Sequence, residues 1–124
     1  MRAVLLMLAI TVFAGCTPIN VNMTLKDVES YITERPDSAL TVLESIDRSN
    51  LKSNNSRAYH ALLLAMALDK NYIDVTDDSL ASVASRYYQQ HGPKKYLARS
   101  LYYKELSFYY DGKYDKAIIE LTKS

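Results

Sequence analysis

Residues 56–69 read SRAYHALLLAMALD, and this segment sets the fold class of the 124-residue chain. Its apolar residues recur every three or four positions, for example at Ala58, Ala61, Leu62 and Ala65. This spacing places them on one face of an α-helix, whereas a strand would need strict alternation. Strand-like alternation of convincing length is missing from the rest of the sequence. The sequence therefore predicts an all-α protein with this segment as its central helix.

Helical periodicity continues on both sides of the central segment, interrupted by proline, glycine, asparagine and aspartate. Thr24 is expected to cap the first helix. The side chains of Asp77-Asp78 are expected to cap the fourth, which turns Leu80, Val83, Ala84 and Tyr87 inward. A turn is expected at Asp111-Gly112. The sequence thus predicts three antiparallel hairpins, with helices over about 24–34, 37–46, 56–69, 79–91, 95–110 and 114–124.

The last predicted hairpin carries a spaced motif. Gly112, Tyr114, Ala117, Leu121 and Ser124 follow one another with gaps of one, two, three and two residues. A glycine suits a tight turn, a tyrosine can wedge between helices, and a small alanine lets two helices approach closely. This pattern resembles the second half of a tetratricopeptide repeat (TPR). The resemblance implies a short α-solenoid of stacked hairpins.

Two registers remain open for the first helix of that hairpin. Counting straight back from Gly112 places Leu101 and Phe108 at the large-residue positions. A shift by two residues uses Tyr103 and Tyr110 among its packing positions, but it needs a shorter turn. The straight register would line a groove with Arg99, Tyr102, Tyr109 and Tyr110.

The N-terminus predicts a lipid anchor. A short apolar run ends in Phe13-Ala14-Gly15-Cys16, and small residues before a cysteine at this position resemble a bacterial lipobox. The run is too short to cross a bilayer, which needs about 20 helical residues, but it suits a signal peptide. We therefore expect cleavage between Gly15 and Cys16, acylation of Cys16 with a fatty acid such as palmitate, and a tether over 16–23. The alternative is a buried N-terminal helix.

A wider resemblance covers most of residues 24–124. The stretches Glu34–Leu40, Leu43–Asp47 and Ala67–Asp74 are similar to the N-terminal region of TPR lipoproteins of Gram-negative gut anaerobes. Members of that family are usually longer, and some continue into a membrane helix and a regulatory region. The resemblance implies attachment to the cell envelope, at the periplasmic face of the outer membrane. The last predicted helix has no successor to cover its outer face, so we expect either a truncated repeat array, which we favour, or a partner or dimer mate that covers this face.

Composition argues against several other classes of function. Loss of Arg2 with the signal peptide takes the basic residues from 15 to 14, which equals the 14 acidic residues. A nucleic-acid-binding protein is expected to show a clustered positive surface instead. The two histidines, His60 and His91, have no carboxylate or thiolate at metal-ligand spacing. We therefore expect no metal, no cofactor, no nucleic acid and no catalysis.

Tyrosine is the unusual component of the sequence. Eleven tyrosines occur, and eight of them fall between Tyr87 and Tyr114. Most are expected to pack between helices, and a minority to face a groove. The sequence thus favours a protein–protein interaction module, a scaffold or sensor ectodomain with an unknown protein or peptide partner. The alternatives are a peptide- or glycan-binding module that uses a tyrosine-rich groove, and the input half of a signalling or transcription-regulating protein.

Overall fold

The structure is a computed structural model that describes residues 20–123. Within this range it holds five α-helices and no strand, which confirms the all-α prediction. The predicted signal peptide, Gly15, Cys16 and Ser124 lie outside the described residues. The helices are α1 (Val21–Tyr31), α2 (Pro36–Ser45), α3 (Asn54–Lys70), α4 (Ser79–Tyr88) and α5 (Lys94–Lys123), with a 3₁₀ turn at Arg48–Asn50 between α2 and α3.

The helix starts follow local capping chemistry, with one correction to the predicted caps. α1 begins three residues before the predicted Thr24, because the side chain of Asn20 accepts a hydrogen bond from the backbone N–H of Met23. The predicted tether therefore ends inside α1. α2 begins at Pro36, whose fixed φ suits the first helical position. The hydroxyl of Ser53 accepts from the backbone N–H of Ser56 and caps α3.

The central position predicted for residues 56–69 is confirmed. α3 packs against each of the other four helices of the described range. α1 and α5 both contact α3, while α2 joins α1 to α3 and α4 joins α3 to α5. The packing is therefore sequential, with each helix contacting its neighbours along the chain and the odd-numbered helices also contacting one another.

The core follows the apolar stripes of α1, α2 and α3. Of the stripe predicted for the first helix, Leu25, Val28 and Ile32 are buried. Leu62 and Leu63 of α3 are fully buried and complete this core. Removing water from these side chains contributes about 1.5–3 kcal/mol per residue to folding, before conformational entropy is counted.

The inward face of α4 agrees with the prediction in part. Ala84 is buried, and Leu80 and Tyr87 are half-buried against the core, as expected. Val83 is exposed instead, and Tyr88, which was not predicted to face inward, is buried. Of the two aspartates predicted to cap α4, Asp77 accepts from the backbone N–H of Ser79 over 3.0 Å, whereas Asp78 makes no side-chain capping bond.

α3 ends in a Schellman motif that contains a tyrosine where glycine is usual. The N–H of Tyr72 donates to the carbonyl of Asp69 over 2.9 Å, and the N–H of Ile73 donates to Leu68 over 2.9 Å. Tyr72 has φ 60°, in the left-handed region that costs an L-residue about 1–2 kcal/mol. Its side chain is 94% exposed, so no packing within the described residues compensates this cost.

The predicted third hairpin is wrong. α5 is one continuous helix from Lys94 to Lys123, and the predicted turn at Asp111-Gly112 lies inside it. A helix of this length spans about 45 Å. Tyr114 and Leu121, which were expected to pack between two helices, are exposed, Leu121 by 76%. Ala117 lies in the same helix.

Candidate functional site

A hydrogen-bond network centred on Glu29 joins the three odd-numbered helices. Oε1 of Glu29 on α1 accepts from the hydroxyls of Tyr59 on α3 and Tyr96 on α5, the latter over 2.6 Å. Its other oxygen, Oε2, accepts from Nη1 of Arg99 over 3.1 Å and forms an ion pair with it. Three donors from two other helices thus satisfy one half-buried carboxylate.

The network changes the titration of its members. Burial raises the pKa of Glu29, but the hydrogen bonds from Tyr59, Tyr96 and Arg99, with the charge of Arg99, lower it overall. Burial raises the pKa of Tyr59, and its hydrogen bond to Glu29 raises it further. The carboxylate therefore stays charged and the phenols stay neutral at neutral pH, which is the arrangement that the hydrogen bonds require.

Aromatic packing surrounds the network. The ring of Tyr96 lies 5.6 Å from that of Tyr59 and 5.2 Å from that of Tyr88, measured between centroids. These separations are typical of favourable aromatic pairs. Tyr59 and Tyr88 are buried, and Tyr96 is half-buried, so this cluster stabilises the interface of α3, α4 and α5.

The four predicted groove residues occupy three different environments. Tyr102 and Tyr109 lie seven residues apart on one face of α5 and are 51% and 64% exposed. Arg99 forms an ion pair with Glu29 and belongs to the network centred on it. Tyr110 is half-buried and faces the loop between α3 and α4 instead. The structure therefore brings Tyr102 and Tyr109 together on one exposed face, whereas Arg99 pairs with Glu29 and Tyr110, whose ring contacts that of Tyr109 with 5.6 Å between centroids, turns toward the loop.

Tyr110 lies in a cleft of about 540 Å³ at the end of α3. Burial raises the pKa of Tyr110, and the nearby charges of Asp74 and Asp69 raise it further. The hydroxyl of Tyr114 donates to Oδ2 of Asp74 over 3.0 Å at the rim. Aromatic rings beside carboxylates suit a cationic side chain. The cleft is lined by Thr33, Pro36, Asp69, Lys70, Tyr72, Asp74 and Tyr110.

The exposed surface of α5 is broader than the two predicted tyrosines. Phe108 is 51% exposed, and Leu101 on the same face is also exposed. Beyond the body of the protein, Ile118 and Ile119 are exposed on the last turns of α5. We call Leu101, Tyr102, Phe108, Tyr109, Ile118 and Ile119 the α5 apolar surface.

Sequence reasoning missed Glu29, Tyr59 and Tyr72. Glu29 is a polar residue that directly follows the buried Val28 in α1. No local sequence pattern distinguishes it from other polar residues of the helix. Its partners lie 30, 67 and 70 residues away, and such pairing is a tertiary property. Tyr72 follows Lys70-Asn71 at a helix end, where a glycine would have signalled the left-handed turn.

Within residues 20–123, neither a metal-binding group nor a membrane-spanning helix is present. No group of three or more histidine, cysteine, aspartate or glutamate side chains there is arranged to hold a metal ion. None of the helices described is long and apolar enough to cross a membrane. Comparison of the chain with protein-family models, with curated proteins and with solved structures found no match.

Proposed function

We propose that this protein is a lipid-anchored, non-catalytic interaction module that binds a protein partner through the α5 apolar surface. The observation that carries the proposal is the exposure of Tyr102, Phe108 and Tyr109 on one long helix. Contiguous exposed apolar residues on a folded domain mark interaction sites. Tyrosine provides a large contact area at a low cost in side-chain entropy, and it is enriched among the residues that dominate binding energy.

A TPR-like arrangement of the helices is part of the proposal. α1 with α2, and α3 with α4, would form the first two hairpins, and α5 would begin a third unit. The sequential packing supports this arrangement, because in stacked hairpins the first helices of successive units contact one another, as α1, α3 and α5 do here. In such an array the Glu29 network fixes the spacing of the first helices. Within the described residues, the exposed face of α5 would then be the uncovered face of the array.

The expected binding energy is sufficient for a specific partner. Full burial of one Phe- or Leu-sized side chain is worth about 1.5–3 kcal/mol. Several such side chains lie along α5, although ordering and loss of free motion on association consume much of the gross gain. The proposal therefore expects two or three residues of this surface to dominate the affinity, with Tyr109 as the most exposed of its tyrosines.

The membrane anchor is the second part of the proposal, and it rests on Gly15-Cys16 at the end of the apolar N-terminal run. Two or more acyl chains on Cys16 would hold the protein stably on the envelope membrane. Metabolic labelling with an alkyne-bearing palmitate is expected to label the protein, and Cys16→Ser to remove both the label and its recovery with membranes. An unlabelled Cys16 in membrane-bound protein would contradict the anchor.

A second candidate function is the capture of a basic peptide in the cleft that Tyr110 lines. The cleft has a volume of about 540 Å³, and its lining includes two carboxylates, one lysine and two tyrosine rings. The net negative charge and the aromatic rings favour a lysine or arginine side chain. The cleft adjoins the α5 apolar surface, because the ring of Tyr110 packs edge-on against that of Tyr109 with 5.6 Å between centroids. Tyr72 lines the cleft and lies outside the α5 apolar surface, so a variant at Tyr72 separates the two functions.

The experiment is affinity capture from envelope membranes with the intact protein as bait. Under the main proposal, Tyr102→Ser with Tyr109→Ser abolishes capture of a discrete partner, while Tyr72→Ser, at a tyrosine that is 94% exposed, leaves it intact. If Tyr72→Ser abolished capture and the double variant retained it, the partner would bind in the cleft that Tyr110 lines. Equal capture by both variants would contradict both candidates.

A further inference from the structure

A second cleft is lined by positive and aromatic side chains. It has a volume of about 430 Å³ and lies between the N-terminal turn of α3 and the exposed face of α4. The α5 apolar surface contributes none of its lining. The lining residues are Asn54, Arg57, Val83, Arg86, Tyr87, Gln90 and His91.

Arg57 is held in place at this cleft by neutral partners. Its Nη1 donates to the backbone carbonyl of Leu51 over 2.8 Å, and its Nη2 donates to Oδ1 of Asn54 over 2.6 Å. These bonds use two of the five guanidinium N–H groups and leave its charge without a carboxylate partner. The side chain is therefore oriented before any ligand arrives, which lowers the entropy cost of binding.

Tyr87 and His91 line the wall of the cleft opposite Arg57, and contacts hold both side chains in place. Nδ2 of Asn55 donates to the hydroxyl of Tyr87 over 2.9 Å and ties α4 to the start of α3. The ring of His91 stacks on that of Tyr87 with 4.3 Å between centroids. Arg86 lies on the same exposed face of α4, one turn before Gln90.

The charge around the cleft is uncompensated. No aspartate or glutamate side chain contributes to its lining. Within residues 20–123, neither Arg57 nor Arg86 takes part in an ion pair. Two guanidinium groups from different helices thus face the same space. An arginine fork matches the oxygens of phosphate and carboxylate groups and can bind them through two parallel hydrogen bonds.

We propose that this cleft binds a phosphate group. A phosphate monoester carries about −1.5 to −2 charges at pH 7 and three strong acceptor oxygens. It can therefore satisfy two arginines that approach from different helices, whereas a planar carboxylate carries one charge and two oxygens. The group could belong to a small organic monoester, whose organic part would contact Val83 and the Tyr87 ring, or to free phosphate.

The test is a titration of the ¹⁵N-labelled full chain in a non-ionic detergent, followed by amide chemical shifts. The probes are phenyl phosphate, inorganic phosphate and, as a matched aromatic carboxylate, benzoate, all at equal ionic strength. We expect saturable shifts over residues 54–57 and 86–91 with both phosphates, and at least about tenfold weaker binding of benzoate. Tighter binding of phenyl phosphate than of inorganic phosphate would assign the site to a monoester, and equal binding would assign it to free phosphate.

Matched variants make the result specific. Arg57→Gln and Arg86→Gln are each expected to weaken phosphate binding by about tenfold or more, as the loss of one charge-assisted contact requires. Arg35→Gln removes an arginine that lies over the Tyr31 ring, away from the cleft, and is expected to bind phosphate like the wild type. The side chain of Arg86 is exposed and takes part in no ion pair within residues 20–123, so its variant tests binding without a folding defect. Unchanged affinity in Arg86→Gln, or equal affinity for benzoate, would overturn the proposal.

Discussion

At the scale of single residues, Glu29 contributes more to the fold than its half-exposed position suggests. One carboxylate receives donors from Tyr59, Tyr96 and Arg99. Hydrogen bonds to charged groups are stronger than those between neutral groups, and leaving several partners unpaired is costly. The residue therefore acts as a junction of α1, α3 and α5.

Glu29→Gln keeps the size of the side chain but removes its charge, and we expect it to lower the free energy of unfolding by about 1–2 kcal/mol. Urea denaturation at neutral pH measures this loss. Glu44→Gln, at an exposed carboxylate of α2, is the matched control and should change stability little. Equal stability of Glu29→Gln and the wild type would contradict the role of the network.

The same contact predicts a pH dependence. Because the pKa of Glu29 is lowered in the folded state, the unfolded chain binds more protons near the usual pKa of 4.5. The stabilisation from this group is therefore fully present above that value and is lost as the pH falls through the folded pKa. Denaturation series of the wild type and Glu29→Gln should converge as the pH falls. A difference in stability that grows on acidification would contradict this assignment.

Tyr72 predicts a gain in stability. Its left-handed backbone would suit glycine, and its exposed ring makes no packing contact to lose. We expect Tyr72→Gly to raise the free energy of unfolding by about 1 kcal/mol. Tyr72→Ala, which keeps the Cβ atom and the strain, should give little or no gain. Equal changes in the free energy of unfolding for the two substitutions would show that the left-handed backbone at residue 72 does not destabilise the protein.

At the scale of helices, the sequence predicts well which helices form and which of their residues are buried, provided that the helix has a strong apolar stripe. Leu25, Val28 and Ile32 share one face of α1 and are buried as expected. An apolar stripe of this spacing is removed from water only when that face of the helix packs on the core. The turn that was predicted within α5 is wrong, because that prediction relied on a local signal. Asp111-Gly112 is a strong local turn signal, but one glycine costs a helix only about 1 kcal/mol, less than the hydrogen bonds that continuation provides.

Gly112 therefore gives a test of the long helix. A Cβ atom added there would meet no atom within 4 Å, so Gly112→Ala fits a continuous helix without strain. We expect it to increase protection of the backbone amides of residues 111–123 against hydrogen exchange, by up to the ~1 kcal/mol difference in helix propensity. Gly112→Pro should reduce it. Reduced protection in Gly112→Ala would indicate the turn that the sequence predicts.

At the scale of the whole molecule, the candidate site could be predicted only in part. One of the two predicted registers lined a groove with Tyr102 and Tyr109, and both side chains are exposed in the structure. Arg99 and Tyr110 were placed on the same surface, but their positions depend on which helices pack beside α5, and that choice is made by contacts far apart in sequence. The two clefts depend in the same way on loops and helix ends whose neighbours no local pattern fixes.

The central claim is that the α5 apolar surface contacts a protein partner in the cell envelope. Site-specific photo-crosslinking in living cells tests it most directly, with a photoreactive phenylalanine analogue at Tyr109 and, as the control, at the exposed Thr41 of α2. We predict a discrete, reproducible heavier adduct from position 109 and none from position 41. No adduct from position 109, or the same adducts from both positions, would contradict the claim.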